Sequence, residues 1–314
     1  MRAVVLTGFG AEPELTDLPA PEPGPGDVLV RLRAAGMNPF DWKVGEGALR
    51  GVVDHKFPVV MGSDGAGVVE AVGHDVAAFR PGDRVYGQFM KVALGLGSYA
   101  EFSTAPGDGK LAIVPDAVPF TVAAALPTSG VTAYQAIDAL RLTQDRTVVV
   151  NGASGGVGQF AVQLAADTGA RVVATAPTDL VDHLRGLGAD EVVDFTAGPT
   201  AEQVLAAHPG GVDAVLDLVS TPGQAEPLVD LLRPGGTILS TNGALDGDAL
   251  ERRELRGVNF FSNATSRDLA TLVALVAAGR LRVTIDTEVA LEEAPATIAG
   301  ARAGHARGKT VFVV

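Results

Sequence analysis

The sequence predicts an α/β protein of two domains: a doubly wound parallel sheet, and a β-rich domain that is partly barrel-like. Three observations carry this. After Thr147, continuous apolar runs alternate with helical stretches, as a parallel sheet buried on both faces requires. Before about residue 125, short alternating runs are punctuated by Pro and Gly, the texture of irregular all-β packing. At the start of the alternating region, Thr147–Val150 leads into the glycine-rich turn Asn151–Gly158, which opens a helix.

In chain order, strands are expected at Arg2–Thr7, Asp27–Ala34, Gly67–Val72, Arg84–Tyr86 and Ala100–Ser103, separated by turns such as Glu22–Asp27 and Arg80–Asp83. Thr121–Ala125 and Val131–Leu140 are Ala-rich and read as helices. Strands follow at Thr147–Val150, Arg171–Thr175, Glu191–Asp194, Val212–Leu218 and Thr237–Ser240, with helices between them at Gln159–Thr168, Asp179–Leu187, Thr200–Ala207 and Gln224–Leu232. Gly169, Gly188 and Gly235 fall just past three of those helix ends, where a left-handed cap is wanted. A further helix, Arg267–Ala278, precedes strand-like Leu281–Asp286 and Thr310–Val314, a tail expected to return to the first domain. The expected division is residues 1–125 with 260–314, and residues 126–259.

The 314 residues are 47% hydrophobic, enough for sizeable cores. No apolar run approaches the ~20 residues of a membrane span, and Met1–Leu6 goes straight into a strand pattern without a signal-peptide layout. A soluble cytoplasmic protein with no membrane partner is expected. A formal net charge of −13 with no basic block disfavours phosphate-rich polymers, so no nucleic-acid partner is expected. The absence of cysteine excludes disulfides, iron–sulfur clusters, thiolate zinc sites and a cysteine nucleophile. His55, His74, His183, His208 and His305 are scattered, none at metal-ligand spacing from another.

The glycine turn is the first candidate site. Ala153-x-Gly155-x-x-Gly158 between a strand and a helix fits a dinucleotide fingerprint with Ala at the first small position. A side chain at Gly155 would block the pyrophosphate, and one at Gly158 would hold the helix off the strand. Ala153, Ser154, Gly155, Gly156, Val157 and Gly158 are therefore candidate cofactor-binding residues, with first-turn N–H groups aimed at the anion. An acidic residue at the end of the next strand would bind the ribose of NAD. Here Arg171–Thr175 ends in Ala176-Pro177-Thr178, and the first acid, Asp179, comes late. That favours NADPH, with Thr175 and Thr178 offering hydroxyls and Arg185 or a more distant basic residue offering charge.

Several further stretches belong together: Ala34–Lys43 (AAGMNPFDWK), Phe57–Val69 (FPVVMGSDGAGVV), Pro81–Gly87 (PGDRVYG), Leu126–Tyr134 (LPTSGVTAY) and Gly304–Lys309 (GHARGK). With the glycine turn, in this order and spacing, they resemble the medium-chain dehydrogenase/reductase superfamily, in its zinc-free quinone oxidoreductase (zeta-crystallin-like) branch. The resemblance runs over essentially the whole chain. It implies a Rossmann domain beside a catalytic GroES-like domain, and a homodimer. Where the zinc-bearing members carry Cys, His and Cys, this chain has Asn38, Ser63 and Thr128, so no zinc is expected. It also implies hydride transfer from NADPH to a quinone or an α,β-unsaturated carbonyl compound, acceptors that need no Lewis acid.

The resemblance places Thr128 near the nicotinamide ring. Asn38 is expected to supply an amide donor to the charge that develops on the substrate oxygen, with Asp41 orienting Asn38, a water or the ribose. Lys43, Tyr86 and Tyr99 are weaker candidates. As a plain turn motif, Asn38-Pro39-Phe40-Asp41 needs no catalytic role. The cofactor side is completed by Thr132, Val219 and Asn242-Gly243 at carboxyl ends of the sheet, Asn263 after Phe260-Phe261, and Lys309 near the end. Phe260 and Phe261 read equally well as cleft or core. The tyrosine that often follows the Asn/Asp motif in related reductases is missing from Gly45–Gly51. Two other functions stay open: an enoyl-thioester or natural-product enoyl reductase, and a non-catalytic NADPH-binding structural or regulatory protein.

Overall fold

The structure is a computed structural model that describes residues 1–305 and 308–314; Ala306 and Arg307, within the Gly304–Lys309 stretch, lie outside the described residues, as does the side chain of His305. In chain order the strands are β1 Arg2–Leu6, β2 Glu14–Asp17, β3 Asp27–Gly36, β4 Val59–Val60, β5 Asp64–Val72, β6 Arg84–Gln88, β7 Phe102–Pro106, β8 Leu111–Ile113, β9 Thr147–Asn151, β10 Arg171–Ala176, β11 Glu191–Asp194, β12 Val212–Asp217, β13 Leu232–Ser240, β14 Arg256–Asn259, β15 Ile285–Ala290 and β16 Lys309–Val313. The helices are α1 Pro39–Gly45, α2 Phe120–Ala124, α3 Pro127–Leu140, α4 Gly156–Asp167, α5 Val181–Gly186, α6 Thr200–Ala207, α7 Glu226–Val229, α8 Gly247–Arg252, α9 Ser266–Ala277 and α10 Ala294–Gly300. No helix among the described residues is long and apolar enough to cross a membrane.

The chain forms two compact units, Met1–Val131 with Ala264–Val314, and Thr132–Asn263. In the second, a six-stranded sheet has the order β11-β10-β9-β12-β13-β14, every neighbour parallel. The order reverses between β9 and β12, the point where ligands bind at carboxyl strand ends in such sheets. Its core is the continuous apolar interior of the strands, with Val149, Val173, Val215 and Ile238 packed among helix residues such as Val204 and Leu228. The first unit is β-rich, with a sheet in the order β15-β16-β3-β5-β6-β8, β7 also pairing with β3, and a smaller sheet β2-β1-β4. The tail returns to this unit as expected, because β16 lies antiparallel against β3.

The unit boundaries fall later than the sequence suggested. Thr128 and Ser129, at the start of α3, are hydrogen-bonded to Asp64 and Asn38 and so belong to the first unit. Ser262 and Asn263 are held by Thr132 and Gln135 and so belong to the second.

Other departures have local causes. The helix expected at Gln224–Leu232 shrinks to Glu226–Val229, because Leu232 pairs with Val212 and begins β13. Gly235, with φ +76°, is a bend within that strand region and caps no helix. The strand expected at Leu281–Asp286 lies at Ile285–Ala290 instead, since Leu281 N–H still bonds back to Leu275 at the end of α9. β14 escaped notice because an edge strand reading Arg-Gly-Val-Asn carries little apolar pattern. Asn38–Asp41 is the start of α1, with Pro39 in its first turn and Asp41 accepting the Asn38 N–H at 2.8 Å.

Candidate functional site

In the first unit the polar centre is built around Asp64, fully buried at the start of β5. Its Oδ2 accepts from Asn38 Nδ2 and from the Thr128 N–H, both at 2.9 Å, and its Oδ1 accepts from the Thr128 hydroxyl at 2.6 Å. Asp41 lies beside it. Its Oδ1 accepts from the N–H and hydroxyl of Ser63 at 2.9 and 2.8 Å, and its Oδ2 accepts from the Asn38 N–H at 2.8 Å and the Tyr99 hydroxyl at 2.6 Å. Lys309, the first residue of β16 and itself buried, donates to the Met37 carbonyl and Asn38 Oδ1 at 2.8 Å and to the Ser129 hydroxyl at 3.3 Å. Toward β6, Gln88 Nε2 donates to Thr128 Oγ1 at 3.1 Å, and Lys110 Nζ reaches Gln88 Oε1 at 3.4 Å.

Burial dominates the electrostatics. It pushes the Asp41 carboxyl up to about 6, against the donors Tyr99, Ser63 and Asn38 that favour its charge. It raises Asp64 too, opposed by the Lys309 ammonium and by the Thr128 and Asn38 donors. The same burial lowers Lys309, opposed by the two carboxylates, and holds the Tyr99 phenol well up.

This geometry changes several expected roles. One Asn38 N–H is aimed at Asp64, and the same nitrogen reaches the Gly36 carbonyl only at 3.5 Å, so the amide is turned inward rather than toward a substrate oxygen. Asp41 does orient Asn38, through its backbone N–H, but the four hydrogen bonds it accepts come from protein groups. The three protons of the Lys309 ammonium have three internal acceptors, so this cation is not available to a cofactor phosphate. Tyr86 is buried with its hydroxyl on the Leu269 carbonyl, Tyr99 serves Asp41, and Lys43 is exposed. Asp64 and Gln88 are the residues sequence reasoning missed. The one available signal for Asp64 was a lone carboxylate among the small residues Gly62-Ser63-Asp64-Gly65-Ala66-Gly67.

In the second unit the glycine turn ends β9 and opens α4 as expected. Gly155 is the N-cap, so no side chain caps the helix, and the first-turn N–H groups are left for an anion. A Cβ on Gly158 would lie 2.2 Å from the Gly152 oxygen and 2.6 Å from Ala153 Cα, the close helix–strand approach the fingerprint requires. A Cβ on Gly155 would meet Gly152 O only at 3.5 Å, so nothing in the protein itself demands glycine there. Ala153 is buried, and Ser154 precedes the cap with its carbonyl accepting from Gln159 Nε2. These features fit a dinucleotide, whose pyrophosphate would lie against the N–H groups that follow Gly155.

Val219 and Asn242-Gly243 lie at the carboxyl ends of β12 and β13, Val219 58% exposed and Asn242 Nδ2 donating to the Leu218 carbonyl. Thr132 shares a hydrogen bond with Ser262, and the Asn263 backbone is clasped by Gln135 through two hydrogen bonds. Phe261 is 81% exposed, which decides against core packing for it. Thr175 and Thr178 do not stand as expected. The Thr175 hydroxyl accepts the Gly152 N–H and donates to Asn151, while Thr178 donates to Asp194.

Residues 24–116 match the alcohol dehydrogenase GroES-like domain family, and residues 187–312 match the zinc-binding dehydrogenase family. The chain is 33% identical to the quinone-oxidoreductase QR1, chloroplastic, of Triphysaria versicolor, over 99% of this chain and 98% of that one. The chain belongs to the quinone oxidoreductase branch of the medium-chain dehydrogenase/reductase superfamily. Another member, the 2-methylene-furan-3-one reductase of Solanum lycopersicum, is 30% identical over 99% of this chain and 79% of its own. Among solved members, the quinone oxidoreductase of Coxiella burnetii superposes with a TM-score of 0.89 at 30% identity, covering 100% of this chain and 99% of its own. Mycobacterial Rv1454c complexed with NADPH superposes with a TM-score of 0.86 at 26% identity, covering 100% of both chains.

One matched family is named for zinc, so the donors must be tested against that ion. Asn38, Ser63 and Thr128 supply an amide and two hydroxyls, each turned into Asp64 or Asp41, and the Lys309 ammonium already lies against Asn38. Zinc takes thiolate, imidazole and carboxylate ligands. No group of three or more His, Cys, Asp or Glu among the described residues is placed to hold a metal. In this member of the branch, the residues at the metal positions do not fit zinc.

Proposed function

We propose that the protein is an NADPH-dependent oxidoreductase that reduces quinones or α,β-unsaturated carbonyl compounds without a metal ion. The observation that carries this reading is the glycine N-terminus of α4, open to an anion and packed on β9 through Gly158. The acceptor class is supported by the relatives, which include a quinone oxidoreductase and a 2-methylene-furan-3-one reductase. NADPH is supported by the Rv1454c complex and by the late position of Asp179.

Bound on the α4 N-terminus, the dinucleotide supplies the hydride. The protein's part is to bind, orient and exclude water. First-turn N–H groups take the pyrophosphate, and the exposed Val219 offers an apolar wall beside them. In the first unit, the hydrogen bonds of Asp64 and Lys309 hold Asn38 and Thr128 in place through protein partners alone. Asp41 is a positioning residue, holding the first turn of α1 against Ser63 and Tyr99.

The test is a titration with NADPH and NADH by nicotinamide fluorescence, followed by addition of 1,4-benzoquinone, 9,10-phenanthrenequinone or a simple enone, with and without a chelator. Tight NADPH binding and chelator-insensitive oxidation are expected. Binding without oxidation by any acceptor would overturn the enzyme reading in favour of a binding protein. Loss of activity to the chelator would overturn the metal-free one.

A further inference from the structure

Three adjacent strand ends of the parallel sheet are tied by side chains. Thr175 on β10 donates its hydroxyl to Asn151 Oδ1 at 3.1 Å, and Asn151 Nδ2 donates to Asp217 Oδ1 on β12 at 2.8 Å. The directions are forced. The one Thr175 proton goes to Asn151, which leaves its oxygen to accept the Gly152 N–H at 2.9 Å. Residue 151 must therefore show an acceptor to one neighbour and a donor to the other, which an amide does and a carboxylate does not.

The bridge reaches the glycine turn from both sides. The Gly152 N–H is held by Thr175, and its carbonyl accepts from Gly155 N–H at 3.1 Å and lies against Gly158. At the other end, Asp217 Oδ1 also accepts from the N–H groups of Val219 and Ser220 at 3.3 and 3.1 Å. That turn sets Val219 against Gly152, where a Cβ would be 2.5 Å from Val219 Cγ2. Asp217 is fully buried, and its Oδ2 has no hydrogen-bond partner among the described residues.

We propose that Asn151 is a positioning residue for the dinucleotide: by bridging Thr175 and Asp217 it fixes the Gly152 peptide, and with it the glycine turn, where the α4 N–H groups meet the pyrophosphate. The proposal rests on the dinucleotide reading above. It gives Thr175 a different task from binding the 2′-phosphate.

The near-isosteric Asn151→Asp tests it. A carboxylate at 151 still accepts from Thr175 on β10 but has no N–H to give Asp217 on β12, so the bridge breaks on that side. Dissociation constants for NADPH and NADH are read by fluorescence below the melting temperature of each protein. Asn151→Asp is expected to bind both dinucleotides at least about tenfold more weakly than wild type. At saturating NADPH, the KM for the quinone stays unchanged. Thr175→Val, which breaks the bridge from the other side without adding charge, is expected to be weakened at least about tenfold as well, whereas Thr175→Ser, which keeps the hydroxyl, binds within about threefold of wild type. Asn151→Asp or Thr175→Val with wild-type affinity overturns the proposal; so does Thr175→Ser as weak as Thr175→Val. Wild-type protein that binds neither dinucleotide sinks the underlying reading instead.

Discussion

The Lys309 ammonium donates to the side-chain oxygen of Asn38 at 2.8 Å, a contact between residues 271 positions apart. It puts one buried cation beside two buried carboxylates, Asp41 and Asp64. Removing one partner of a buried ionic group leaves the others uncompensated, which typically costs about 3–5 kcal/mol. Lys309→Met is therefore expected to lower the unfolding free energy by about that much in urea titration. Because the ammonium is committed to internal acceptors, the folded variant should still bind NADPH with wild-type affinity.

Asp41 makes stability depend on pH with a definite sign. Its carboxyl is raised from 3.8 to about 6 in the folded chain, so the folded state holds the proton more tightly than the unfolded one. The stability this contributes is present below the unfolded value and is lost as pH rises through about 6. The slope is at most about 1.4 kcal/mol per pH unit within that window. Subtracting the profile of Asp41→Asn from that of wild type should isolate this decline. A difference that is flat between those two values would mean the carboxyl is not raised.

The two glycines of the turn should fail in different ways. Gly155→Ala meets only ordinary contact in the protein, so its melting temperature should stay near wild type while NADPH affinity falls at least about tenfold, because the methyl stands where the pyrophosphate must approach. Gly158→Ala drives a methyl into backbone atoms of Gly152 and Ala153, so both melting temperature and affinity should fall. Calorimetry beside the fluorescence titration separates the two.

Thr128→Val removes the 2.6 Å hydrogen bond to Asp64 while the backbone donor at the same residue remains. A hydrogen bond to a charged group is worth about 1.5–3 kcal/mol. The unfolding free energy is therefore expected to fall by about that much relative to wild type. Urea titration of the two proteins side by side reads this directly.

The parallel-sheet unit was largely legible because its signal is local: continuous Val runs, a glycine turn and helix periodicity sit in one contiguous stretch. The polar centre was legible only in part. Asn38, Asp41 and Thr128 could be singled out, but what they do depends on Asp64 and Lys309, which pairing of β3, β5 and β16 brings to them from far along the chain. Spacing holds no trace of such pairings. For the same reason Thr175 and Thr178 looked like free hydroxyls until neighbouring strands supplied Asn151 and Asp194 as their acceptors. Short edge strands such as β14 were missed because exposure removes the apolar pattern that marks a strand.

The return of β16 to the first unit also sets an order of events during synthesis. Asn38, Asp41 and Asp64 leave the ribosome before any residue of the parallel-sheet unit, whereas Lys309 emerges after all of it. The nascent β-rich half therefore carries its acidic pair without its neutralising cation while the second unit, encoded in one uninterrupted segment, is free to fold first. Completion of the polar centre waits for β16, after the whole parallel-sheet unit has been made. A nascent chain stalled before β16 has emerged would display a folded nucleotide-binding unit joined to an unfinished partner.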